Sequence, residues 1–174
     1  MPHELESELR GRWEEAQVES DSNRKGRLLE DFIQLLFKTI PGFHQVDTRR
    51  RNEVEEIDLV IRNDSSDATW QEESPYFMVE CKNWSRPVGV DEVRLFLGKL
   101  ERKYHRCKLG FFVVLGDFAR TVRMDQLGER RGDFLIVPIN HQDIVSLVHS
   151  LDRNETLKSF HQRAVLAENG HHTG

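Results

Sequence analysis

The chain has 174 residues, 37% hydrophobic and 32% charged. This suits a single globular domain with a real core and a heavily charged surface, and excludes a disordered or membrane-spanning chain. A formal net charge of −5 argues against a protein that coats nucleic acid without selectivity. The two cysteines, Cys81 and Cys107, fit a reducing compartment and make no zinc-type cluster; the acidic, polar start from Met1 to Arg12 is unlike a secretory signal, so a cytoplasmic location is expected.

Leu5, Leu9, Trp13, Ala16 and Gln17 recur at helical spacing and predict an amphipathic helix over Glu4 to Glu19, an N-terminal helical extension within residues 1–23. Ser20-Asp21-Ser22-Asn23 interrupts it and caps a second helix, Arg24 to Thr39, whose apolar face carries Leu29, Phe32, Ile33, Leu36 and Phe37 before Pro41-Gly42 stops it. Glu30 borders that face, three residues before Ile33, and Gly26 leaves the helix bare beside it. A boundary glutamate paired with Arg27 or Lys38 is an equal structural reading.

Phe43 to Arg50 reads as an edge strand with Phe43, Gln45, Asp47 and Arg49 on one face, and Val54 to Arg62 as a firmer strand carrying one acid, Asp58. Asn63 to Pro75 is a polar loop in which Trp70 is expected to pack on the body. Tyr76 to Asn83 is an apolar strand ending in Glu80-Cys81-Lys82, so that Glu80 and Lys82 share a face and Cys81 points the other way, toward the core. Val90 to His105 reads as a helix with Val93, Phe96, Leu97, Leu100 and Tyr104 inward, and Leu109 to Leu115 as a strand covered on both faces. Ala119 to Glu129 (helix), Phe134 to Pro138 (strand), Asn140 to Leu151 (helix) and Asn154 to Ala167 (helix) complete the order. Three consecutive strands followed by helical crossovers predict a three-layer α/β/α sandwich around a mixed sheet, with the core over residues 24–151 and a C-terminal helix and flexible tail over 152–174.

Hydrolysing a phosphodiester requires charge neutralisation at the phosphate, a deprotonated water and help for the leaving oxygen. Asp58 and Glu80, on neighbouring strands, supply hard oxygen ligands suited to Mg²⁺, with Mn²⁺ as a substitute, and the backbone carbonyl of Cys81 can add a third. Lys82 is placed to orient and acidify the attacking water or to steady charge on phosphorus, and Glu30 to complete the shell through a water. The scattered histidines offer no metal site, and no Gly-rich phosphate loop is present.

Glu30, then Glu56-Ile57-Asp58, then Val79-Glu80-Cys81-Lys82, in that order, resemble the PD-(D/E)XK nuclease superfamily and, within it, the Mrr-like restriction endonucleases. The resemblance extends from Gly26 to Leu151 and includes Pro41-Gly42-Phe43, Pro87-Val88-Gly89, the run Leu109 to Val114 with Asp117-Phe118-Ala119, and Ile136-Val137-Pro138-Ile139. It implies a magnesium-dependent nuclease in which Asp58, Glu80 and Lys82 are catalytic and Glu30 assists. Ile57 stands where the superfamily's name has proline, and Glu55-Glu56 add charge beside Asp58.

The expected function is therefore an endonuclease acting on DNA, in defence against foreign DNA or in DNA processing. The alternatives are a nuclease for RNA or for branched or single-stranded nucleic acid, and an inactive nuclease fold that docks partners through its first helix. Arg49, Arg50 and Arg51 can meet phosphates at the entry to the site, or form a solvated strand end. With no helix-turn-helix or zinc finger, sequence choice would come from a partner protein, and cutting both strands of a duplex makes a homodimer attractive.

Overall fold

Asp21 opens the second helix, its carboxylate accepting the Arg24 N–H, and so divides the first 40 residues into two antiparallel-packable rods. The computed structural model describes residues 2–51, 56–122 and 133–167. Helix α1 (Pro2–Val18) buries Leu9, Trp13 and Ala16, and helix α2 (Ser22–Lys38) buries Leu29, Phe32, Ile33, Leu36 and Phe37. The α1 stripe is shorter than its sequence suggests, because Leu5 is partly exposed and Gln17 faces solvent. Gly42, at φ 82°, turns the chain out of α2. A Cβ there would sit 2.4 Å from the Ser65 Cα, so the turn accepts only glycine.

Strands β1 (Phe43–Arg51), β2 (Glu56–Asn63) and β3 (Tyr76–Lys82) form an antiparallel meander, and β4 (Leu109–Val114) and β5 (Leu135–Ile139) add in parallel, giving the order β1-β2-β3-β4-β5. β1 lies at the edge, as expected. Its strict alternation does not hold: a bulge between Gln45 and Asp47 shifts the register and leaves Val46 outside. The segment between β2 and β3 is not all loop. Asp67 caps a one-turn helix, α3 (Ala68–Gln71), which drives Trp70 into the core with its indole N–H bonded to the Asn154 Oδ1 at 2.7 Å.

Helix α4 (Val90–Glu101) crosses over one face of the sheet from β3 to β4, and α5 (His141–His149) and α6 (Arg153–Val165) follow β5. Alternation along the strands divides the interior. Leu59, Phe77, Val79, Cys81, Phe111, Val113 and Val137 pack against α1, α2, α5 and α6. Met78, Phe112, Val114 and Ile136 pack against Val93, Phe96 and Leu100 of α4. The result is a five-stranded mixed sheet with helices on both sides. α4 stops four residues before the predicted end. Arg102 caps it, Tyr104 and His105 take positive φ, and Tyr104 is exposed rather than inward. Of the helix expected over 119–129, residues 119–122 form a turn and 123–129 lie outside the described residues. Among the described residues no helix is long and apolar enough to cross a membrane.

Candidate active site

In the antiparallel register of β2 and β3, Asp58 lies directly opposite Glu80. The pleat sends both side chains, and Lys82 two residues on, to the face covered by α4. Cys81 between them belongs to the opposite core. All three charged groups are buried: Asp58 is 4% exposed, Glu80 1% and Lys82 4%. The Lys82 Nζ stands 3.3 Å from the Glu80 Oε1. It also lies 4.9 Å from the centre of the Trp84 ring, over which the Arg86 guanidinium packs as well.

A fourth charged side chain completes the cluster. Lys99 reaches down from α4 and places its Nζ 3.0 Å from the Glu80 Oε1 and 3.2 and 3.4 Å from the two Asp58 oxygens. Helical spacing alone does not single out Lys99. It falls three residues after Phe96 and one before Leu100, at the margin of the inward stripe of α4, where a lysine ordinarily turns its head to water. Only the pair of acids across the sheet face gives it a destination.

Burial pushes the Glu80 carboxyl above its ordinary value of 4.5; Lys99 and Lys82 pull it down, and Asp58 adds to the upward push. Its two oxygens fare differently. Oε1 meets both ammonium groups, whereas Oε2 is buried without a hydrogen-bond partner. A buried carboxylate oxygen without a donor, on a residue paired across the strands with a second carboxylate, fits a divalent cation that takes hard oxygen ligands and keeps waters in its shell. No group of three or more His, Cys, Asp or Glu positioned for a metal occurs among the described residues; an ion held here would rest on the carboxylate pair, backbone oxygen and water.

Glu30 is not in this cluster's layer. It is carried by α2, against the other face, where it is buried and accepts a hydrogen bond from the Gln34 Nε2 at 3.2 Å. Backbone register sets Arg49 opposite Asp58, while the side chains of Arg49, Arg50 and Arg51 lie outside the described residues.

A family model described as restriction endonuclease matches residues 22–148, from the first residue of α2 to the last turn of α5 and across all five strands. No curated protein and no solved structure matches the chain.

Proposed function

The chain belongs to the Mrr-like restriction endonuclease family, and on that premise we propose that it is a divalent-metal-dependent endonuclease hydrolysing phosphodiester bonds in DNA, with Mg²⁺ as the working ion. The observation that carries this reading is the direct opposition of Asp58 and Glu80 across β2 and β3, with Lys82 on the same buried face. When bound, the ion neutralises charge on the phosphate and lowers the pKa of a water. Asp58 and Glu80 would hold it through their carboxylate oxygens, with the backbone carbonyl of Cys81 as a third donor. Lys82 holds the attacking water or a phosphate oxygen through its ammonium, and the Trp84 ring limits where that ammonium can swing. Glu30, carried by α2 in the helical layer behind the sheet, is given no part in holding the ion or the water. Arg49, Arg50 and Arg51 lead phosphates toward it.

The test is cleavage of supercoiled plasmid, single-stranded DNA and RNA, each with Mg²⁺, Mn²⁺ or EDTA. Wild type cuts DNA only with metal. Asp58→Ala, Glu80→Ala and Lys82→Ala each lose at least about a hundredfold in rate, the size seen when a group stabilising transition-state charge is removed, while circular dichroism shows a retained fold. Undiminished cutting by Lys82→Ala would remove the role given to that lysine. Cutting of RNA in place of DNA would change the substrate and leave the chemistry.

A further inference from the structure

The Lys99 ammonium is within 3.4 Å of three oxygens of the carboxylate pair: both from Asp58 and one from Glu80. That is the space between the two acids, the space a divalent ion bound by both would fill. Two cations cannot share it. At such separations in a buried setting, repulsion between like charges far exceeds its value in water. Among Asp58, Glu80, Lys82 and Lys99 the formal charges balance, so adding a divalent ion with every group in place would leave a buried excess of positive charge.

Lys99 is also the member of the set built to leave. Asp58 and Glu80 are held by shorter stems on paired strands, whereas Lys99 rides two residues before the end of α4 on a stem of four methylenes. Phe96 and Leu100 anchor α4 to the sheet, so the seat of the helix does not rest on the Lys99 head.

We propose that Lys99 is a tethered competitor for the metal: its ammonium holds the Asp58–Glu80 pair together in the metal-free protein and must withdraw for a divalent ion to bind. Lys99 thereby keeps metal affinity low and metal-free folding secure. The proposal rests on the reading of Asp58 and Glu80 as metal ligands.

The experiment measures Mn²⁺ binding directly, by the loss of the free-ion electron paramagnetic resonance signal, on the full chain without nucleic acid. Wild type, Lys99→Gln, Lys99→Arg, Asp58→Asn and the double variant Lys99→Gln/Asp58→Asn are compared. Lys99→Gln is expected to bind Mn²⁺ about tenfold or more tightly than wild type, a usual size for coupling between two binding events. Lys99→Arg, which keeps a cation, binds no more tightly than wild type, and the double variant loses the gain. Because Lys99→Gln leaves two buried acids facing each other, thermal unfolding is followed as well. Mn²⁺ raises the Tm of Lys99→Gln more than that of wild type, and restores the fold if the metal-free variant is unfolded.

Equal or weaker Mn²⁺ binding by Lys99→Gln, with wild-type binding abolished by Asp58→Asn, overturns the role of Lys99 and leaves the metal site standing. Absence of Asp58-dependent binding in both wild type and Lys99→Gln overturns the metal site and this proposal together.

Discussion

Glu80 and Cys81 are neighbours on β3, buried alike, and aimed at opposite faces of the sheet. Desolvation acts on both in the same direction, against the charged form. For Glu80 two ammonium groups oppose it, and the carboxyl is left raised but in contact with cations. For Cys81, burial is joined by the nearby Glu80 charge and pushes the thiol up to about 12; burial alone does the same to Cys107. Thiolate is the reactive form, so neither cysteine is a nucleophile in the folded protein. Titration with a chromogenic disulfide at pH 8 is expected to find no reactive thiol in the native protein and both thiols in denaturant. A rapidly reacting thiol before unfolding would contradict the burial of Cys81 and Cys107. The role of Cys81 as a core side chain was readable from alternation alone, because a period of two needs no knowledge of the partner strand.

At the level of elements, α4 matters because it delivers Lys99, and its seat on the sheet depends on a missing side chain. Gly110 of β4 lies under the Phe96 ring: a Cβ there would be 2.6 and 2.7 Å from two ring atoms and 3.0 Å from a Leu100 methyl. Phe96 cannot easily give way, since it is fully buried and packed edge-on against Phe112 at 5.2 Å between centroids. Gly110→Ala is expected to lower stability by about 1–3 kcal/mol, as overpacking of a core does, measured by urea unfolding. The strain falls on α4, so the same substitution should also loosen the Lys99 contacts. The inward stripe of α4 was legible as Val93, Phe96, Leu97 and Leu100. Its end was not, because Tyr104 continues the apolar spacing while the backbone has already left the helix.

On the scale of the whole molecule, Arg153 ties the helical layer together. From the first residue of α6 its guanidinium donates to the Leu147 and Val148 carbonyls at the end of α5 and, bidentately at 2.6 Å, to the Glu6 carboxylate of α1. The hydrogen bond from Arg153 holds the Glu6 carboxyl below its ordinary value of 4.5. A carboxyl lowered on folding adds stability that is fully present above 4.5 and is lost as pH falls through the lowered value. Glu6→Gln is therefore expected to cost about 1 kcal/mol at pH 7, a small figure because Glu6 is partly exposed and screened. The two proteins should converge in strong acid, as followed by denaturant unfolding at pH 7, 5 and 3. A difference unchanged across that range would dissociate Glu6 from the latch. The same contacts settle how α1 is used: Leu9, Trp13 and Ala16 enter the core shared with Phe32 and Phe111, so its apolar face is occupied within this chain.

What the sequence by itself determined is whatever depends on short-range periodicity. Apart from α3 and the helix expected over 119–129, the helices and strands, and with their order the mixed sheet, follow from spacings of two or of three and four residues, as do the shared face of Glu80 and Lys82 and the opposite aim of Cys81. The tertiary structure decided what depends on pairing between distant segments. It set Asp58 opposite Glu80, placed the bulge at Gln45 and Asp47, folded α3 so that Trp70 could reach Asn154, and put Glu30 in the layer behind the sheet. Lys99 is the clearest case. Forty-one residues separate it from Asp58, and no local pattern distinguishes it from a solvated lysine. Its position follows from desolvation: two carboxylates brought together under α4 attract a cation, and Lys99 is the lysine that α4 carries there.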